Sequence, residues 1–329
     1  MCAAGSSRWN TTSSRAKRRA RMCVAASTRS GWLSAANTGT SASRSATTLV
    51  STASERYARL AKGPRPSPYL RSATGRVRVV GHRGAAAHAP ENTIASLERG
   101  VREGADDVEF DVQRTADGVP VLLHDETCDR TTDGSGPLRE RTSAAVSALD
   151  AGSWFGPSFA GERVPTLAAV CEWAGRNAAG LSVELKQPAP GEGLPVDDGL
   201  AATVIGLLRE RGLLDRAVIH SFDHPTIARV LALAPEATAA LLYSGPNLAD
   251  PLAIAHSVSG ISGLHVRWYW ISRELCAAAH DEGLHVHAYG LPEPLERDAV
   301  LRMVELGVDS LSADAPDALV ALLVGEGLR

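Results

Sequence analysis

Aromatic residues are scarce, only 5% of 329 positions, which argues against an aromatic cage or a base-stacking platform. No apolar run reaches about 18 residues, so an ordinary transmembrane helix is not expected. The five cysteines (Cys2, Cys23, Cys128, Cys171 and Cys276) are odd in number, widely spaced and contain no C-x-x-C pair. That speaks against a disulfide framework or a structural zinc site and favours a reducing compartment. Acidic residues are almost missing from the first part of the chain: residues 1–76 hold 14 of the 34 Lys and Arg but only one of the 37 acids, Glu55. The remainder therefore carries a net charge of −16, and such an acidic body disfavours nucleic acid as its ligand.

The basic N-terminal stretch is Ser, Thr, Ala and Arg without apolar periodicity, too poor in apolar surface to offset the entropy of ordering. Residues 1–75 are read as a disordered basic extension. An organellar transit peptide, a nucleic-acid patch at Lys17-Arg18-Arg19 and an early start codon are the competing readings. Only Met22–Ala26 follows Arg18-Arg19 as an apolar stretch, short of the roughly 7 residues a secretory h-region needs. A cytoplasmic location is expected, with organelle targeting as the alternative.

From Val77 onward the pattern changes. Short β-branched runs alternate with helical periodicity: Val77–Val80 is a strand, then Ile94, Leu97 and Val101 recur at helical spacing up to Gly104. Further strands are expected at Asp107–Val112, Val119–Leu123, Leu181–Leu185, 217–221, 239–243, 261–266, 284–289 and 308–312. Alternation of this kind over about 250 residues implies an α/β fold with a parallel sheet, and the length suits a (β/α)8 TIM barrel over 76–325. No G-x-G-x-x-G follows the first strand, which weakens the doubly wound alternative.

Nine strands are one too many for such a barrel. The surplus is traced to runs 107–112 and 119–123, joined by a turn far too short for a parallel crossover and therefore an antiparallel hairpin. With Asp117 and Gly118 as the two turn residues, His124 falls opposite Asp111, close to Glu109. The Gly-, Thr-, Ser- and Asp-rich segment 125–165 is read as a small insertion, with Trp154-Phe155 anchoring it to the barrel.

Period-2 geometry puts Glu109 and Asp111 on one strand face, with Phe110 pointing away, and likewise Glu184 and Lys186. Carboxylates so close repel unless a cation or proton intervenes, and three of them from two strands favour a hard cation, Mg2+ or Ca2+. His82 ends the first strand at the loop edge where barrel sites are built, and His124 is held beside the acids. Two imidazoles near a cation suit general acid and base chemistry. Arg83 and Lys186 offer positive charge to an anionic substrate, so the set reads as phosphoester hydrolysis. His285 and His287 share a strand face and are read as barrel filling rather than ligands, while Trp268–Trp270 either line the mouth or pack as a loop.

The sequence resembles the glycerophosphodiester phosphodiesterase family. The resemblance rests on His82-Arg83-Gly84, Pro90-Glu91-Asn92-Thr93, the run Gly104 to Val112, Thr115-Ala116-Asp117-Gly118, His124-Asp125, the run Arg130 to Gly134, Pro165-Thr166-Leu167, Glu184-Leu185-Lys186, Ser221-Phe222 and Ala313-Asp314-Ala315-Pro316. It implies a phospholipase-C-like barrel that hydrolyses a glycerophosphodiester to glycerol 3-phosphate and an alcohol. It implies His82 and His124 as the acid/base pair, and Arg83 and Lys186 as phosphate contacts. It also implies Glu109, Asp111 and Glu184 as ligands of one divalent ion, with Glu91 near the site. Two departures stand out: the family's Trp-Thr-Val-Asn-like run is His287-Ala288-Tyr289-Gly290 here, and its final Thr-Asp-x-Pro is Ala313-Asp314-Ala315-Pro316. The first alters the alcohol pocket at Tyr289, which leaves a lysophospholipid or another bulky diester as an alternative substrate. A non-catalytic phosphate-binding barrel is the reading from another class.

Overall fold

The computed structural model describes residues 66–187, 199–244 and 251–329. Among these, nine strands run in chain order: β1 (Arg78–Gly81), β2 (Asp107–Arg114), β3 (Pro120–Leu122), β4 (Gly180–Leu185), β5 (Ala217–Ser221), β6 (Thr238–Tyr243), β7 (Gly263–Arg267), β8 (His285–Tyr289) and β9 (Ser310–Ala313). Eight are parallel neighbours in the order β1-β9-β8-β7-β6-β5-β4-β2, and β1 pairs with β2 to close the ring. The fold is a (β/α)8 barrel. β3 is the surplus strand, antiparallel to β2 and outside the ring.

The α-helices among the described residues are α1 (Arg71–Thr74), α2 (Ile94–Arg102), α3 (Ser143–Ser147), α4 (Leu167–Ala174), α5 (Leu200–Glu210), α6 (His224–Leu233), α7 (Pro251–Ala255), α8 (Arg273–Asp281), α9 (Arg297–Leu306) and α10 (Pro316–Gly325). Several start on a side-chain cap that satisfies an otherwise unpaired backbone N–H: Thr93 for α2, Thr166 for α4, Asp223 for α6 and Ser272 for α8.

Alternation along the strands sorts the side chains into two layers. Val108, Phe110 and Val112 of β2, Leu181, Val183 and Leu185 of β4, and Val286 and Ala288 of β8 join the helices in one large apolar core. Their neighbours form a polar set: Arg78, Asp107, Ser182, His220, His265, His285, His287 and Ser310. These satisfy one another within the barrel. Arg78 clamps Asp107 through two hydrogen bonds of 2.9 and 2.7 Å, and Ser182 Oγ lies 2.9 Å from His220 Nε2. His265 Nε2 and His285 Nε2 are 3.1 Å apart, and His287 Nδ1 meets Ser310 Oγ at 2.8 Å. The pair His285 and His287 thus fills the barrel, as do His220 and His265. Gly263 makes room for this packing, because a Cβ there would lie 2.2 Å from the His285 ring.

Two boundaries differ from expectation. The ordered chain begins before residue 76: Ser67 donates its N–H to Gly283 O and its Oγ contacts His285 Nδ1 at 2.8 Å, while Tyr69 is buried against the His285 ring. Composition hid this because the stretch carries only a few anchoring residues. The rest of the expected extension, residues 1–65, lies outside the described residues. The hairpin register is also shifted by one: Val112 pairs with Leu122 and Arg114 with Pro120. The turn has three residues, Ala116, Asp117 and Gly118, closed by Thr115 and Val119, with Gly118 at φ +84°. Leu123, not His124, therefore falls opposite Asp111, and Leu123 N donates to Asp111 O.

The segment from Asp125 to Pro165 has a small core of its own, Cys128, Leu138, Val146, Ala151 and Val164, continuous with Val121 and Leu123. Trp154 is not the anchor: it is exposed and stacks edge-on against Phe155, which stacks on Phe159. Among the described residues no helix is long and apolar enough to cross a membrane.

Candidate active site

Parallel pairing sets Asp111 of β2 beside Glu184 of β4, and Glu109 precedes Asp111 by one full period. One oxygen of each of these three carboxylates lies within 4.8 Å of the others, and all three residues are buried. Burial and the charge of Asp111 push Glu109 up to about 8 and Glu184 up to about 7. Burial also opposes ionisation of Asp111, but Lys186 and Arg83 hold its carboxyl well below the usual range. The group thus holds more negative charge than it can keep ionised unaided. Glu109 Oε1 is buried without a hydrogen-bond partner, whereas its Oε2 accepts the Arg83 backbone N–H at 2.8 Å. Three converging carboxylates with an orphaned oxygen fit one hard divalent cation.

Asn92 fixes Asp111 twice, donating from Nδ2 to Oδ2 at 2.8 Å and accepting the Asp111 N–H at 3.0 Å. Lys186 Nζ lies 3.0 Å from Asp111 and 2.5 Å from Glu184. Arg83 Nε faces Asp111 at 3.4 Å, without a hydrogen bond of its own. Arg83 and Asn92 both occupy the left-handed region, at φ 50° and 59°. For side chains this is a conformation costing about 1–3 kcal/mol, and both residues bound the loop that carries them to the carboxylates.

The histidines arrive from two further segments. His82, just past β1, donates from Nδ1 to Asp314 at 2.6 Å, and His124, just past β3, donates from Nδ1 to Asp125 at 2.7 Å. A carboxylate only accepts, so both rings carry the Nδ1 proton and keep Nε2 for other work. Burial disfavours the charged form at both. At His82 the Asp314 hydrogen bond and the charge of Glu109 outweigh it, and the pKa is raised. At His124 Lys186 and Arg83 reinforce burial against the pull of Asp111 and Asp125, and the pKa is lowered.

Glu91 stands outside the three-carboxylate group. Arg83 Nη1 reaches it at 2.6 Å, and Arg130 binds both its oxygens at 2.8 Å while also donating to Asp125. It is a brace between two guanidiniums. Tyr289 closes another side, its hydroxyl donating to Tyr243 O at 3.0 Å and its ring edge-on to Phe222. His82, Arg83, Glu109, Asp111, His124, Glu184 and Lys186 are therefore brought together at one end of the barrel. Asn92, Asp125, Arg130 and Asp314 were not singled out, although each lies within the motif string. Their signal was proximity to an expected functional residue: Asp125 follows His124 directly. His88 turns elsewhere, bonding Glu103 at 2.8 Å. A cavity of about 380 Å³ opens near Tyr69, Arg78 and Asp215, and none of the carboxylate group lines it.

The model of the glycerophosphoryl diester phosphodiesterase family matches residues 82–318. The chain belongs to this family. It is 35% identical over 245 residues to a glycerophosphodiester phosphodiesterase of Caldanaerobacter subterraneus subsp. tengcongensis, covering 74% of this chain and 97% of the relative. A Bacillus subtilis glycerophosphodiester phosphodiesterase is 30% identical over 258 residues, with 74% and 85% covered. Among solved structures, an Agrobacterium tumefaciens glycerophosphodiester phosphodiesterase matches with a TM-score of 0.63 and 31% identity, over 74% of this chain and 99% of that one. An Oleispira antarctica phosphodiesterase, solved with the product sn-glycerol-3-phosphate, matches with a TM-score of 0.68 and 28% identity, over 76% and 98%. The family member described here is accordingly a phosphodiesterase.

Proposed function

We propose that this chain hydrolyses glycerophosphodiesters to glycerol 3-phosphate and an alcohol, with a divalent cation, Mg2+ or Ca2+, held by Glu109, Asp111 and Glu184. The observation that carries the reading is the group of three buried carboxylates flanked by two aspartate-bound histidines. When bound, the cation supplies polarisation of a phosphoryl oxygen. The Oleispira relative's product complex supports a glycerophosphate-sized substrate for this site.

Arg83 and Lys186 bind the phosphate and neutralise its charge; the guanidinium suits a tetrahedral anion. His82, whose pKa is raised, holds a proton at Nε2 more readily than a free imidazole and donates it to the leaving oxygen. His124, whose pKa is lowered, is neutral at Nε2 and accepts the proton of the attacking nucleophile. Asp314 and Asp125 hold each ring in its tautomer, and Glu91 with Arg130 steadies Arg83 and Asp125. The two histidines differ because Asp314 and Glu109 act on one, and Lys186 and Arg83 on the other.

A coupled glycerol 3-phosphate assay on glycerophosphocholine and glycerophosphoethanolamine, with and without EDTA, tests the reading. Turnover that EDTA abolishes and Mg2+ or Ca2+ restores is expected. Full activity in EDTA removes the cation, and absence of turnover with every divalent ion removes the activity.

A further inference from the structure

The positive side chains described around the carboxylates are engaged: Arg83 with Glu91 and Asp111, Lys186 with Asp111 and Glu184, and Arg130 with Glu91 and Asp125. Arg267, the last residue of β7, is different. It is exposed at the same end of the barrel, and among the described residues no carboxylate pairs with it. Its guanidinium instead lies over the Tyr269 ring, 5.3 Å from the centroid. Parallel pairing places Arg267 directly beside Tyr289 of β8. Beyond the effect of its burial, the Tyr289 hydroxyl lies near enough to Arg267 and Glu184 for both charges to act on it.

Gly290 borders the Arg267 side chain: a Cβ there would make ordinary contact with Nε at 3.5 Å, and it is the φ of +69° that favours glycine at this position. Phe222, nearly half exposed, stands edge-on to Tyr289 at 6.1 Å, and Tyr269 is half exposed. The result is a wall of flat rings bearing one guanidinium that lacks a protein counter-ion among the described residues. Aromatic faces alone would welcome a quaternary ammonium. A guanidinium on the same wall repels one and attracts an anion.

The geometry points to a subsite, formed by Arg267, Tyr269, Phe222 and Tyr289, for an alcohol moiety that itself carries a negative charge, a carboxylate or a second phosphate. This specificity rests on the proposed phosphodiesterase activity and narrows its substrate class. Arg267 is a binding residue for the part of the substrate beyond the reacting phosphate.

Glycerophosphoserine and glycerophosphoethanolamine differ by one carboxylate and make the matched probes. The expected result is at least about fivefold higher kcat/KM for the serine diester, a modest factor because Arg267 is exposed. Arg267→Gln brings the ratio close to one, and Arg267→Lys keeps part of it. A merely structural role would depress both substrates alike and leave the ratio standing, which overturns the proposal. Equal turnover of the two by the wild-type chain overturns it while leaving the phosphodiesterase reading intact; no turnover of either overturns both. Binding to phosphatidylglycerol vesicles that Tyr269→Ser abolishes, with the substrate ratio at one, assigns the rim to a lipid surface and also overturns it.

Discussion

At the scale of single residues, the proposed division of labour between two imidazoles rests on their neighbours rather than on the rings. Asp314 and Glu109 favour the proton on His82, whereas Lys186 and Arg83 disfavour it on His124. In the proposed mechanism the active form has His82 protonated and His124 neutral. Its population falls as pH drops through the His124 value, below the ordinary 6.5, and as pH rises through the His82 value, above it. A bell-shaped kcat/KM profile is expected, with its acid limb below that ordinary value and its alkaline limb above it. Asp314→Asn removes the strongest support for the charged His82 ring and moves the alkaline limb to lower pH, leaving the acid limb in place. An unmoved alkaline limb would take His82 out of the acid role. His124→Asn should lower kcat by about 10²–10⁴ with the chain still folded, checked by steady-state kinetics beside circular dichroism. These residues were legible because motif spacing and strand period agree on them. Asp125 and Asp314 were harder to single out, since a carboxylate that orients a histidine has no periodicity of its own and only the folded contact reveals it.

At the scale of elements, the alternation of apolar and polar positions on β2 and β4 made both the barrel and the inward acids readable. The hairpin was readable as a hairpin because five residues cannot make a parallel crossover. Its register was not, because Asp-Gly fits a two-residue turn as well as a three-residue turn with Gly118 in the left-handed region. His124 reaches the site nonetheless, since it lies beyond the end of β3, where Gln113 gathers the carbonyls of Leu123, His124 and Asp125 through one amide. The polar barrel interior was only partly readable: histidines spaced across three strands show no common period until the ring closes. Gly263 is the element-level test of that interior. A methyl there would strike the His285 ring, which Ser67 and His265 hold in place. Gly263→Ala should therefore cost about 1–3 kcal/mol, read as a lower urea midpoint with an unchanged m-value.

At the scale of the whole molecule, the barrel interior makes stability depend on protons. His220 is pushed down to about 3 and His285 to about 4, and His265 and His287 lie well below 6.5, all chiefly by burial. These rings are neutral in the folded chain and titrate near 6.5 once unfolded. Below that value the unfolded state binds more protons, so stability falls as pH decreases from about 6.5 toward the folded values. Each ring contributes a slope of about 1.4 kcal/mol per pH unit within that window. Glu109 and Glu184, raised to about 8 and about 7 in the folded chain, work in the opposite direction above their ordinary range, so the total slope is smaller than four rings would give. The contribution of one ring is isolated by difference. His265→Asn keeps a polar side chain in the same space, and the pH dependence of its urea-derived stability between pH 6 and 5 should be shallower than wild type by about 1.4 kcal/mol per unit. Parallel stability curves for the two proteins would mean that the His265 ring is already charged in the folded barrel. Either form of His265 can donate its Nε2–H to His285 Nε2, so the stability curves and not the hydrogen bond report the charge of the buried ring.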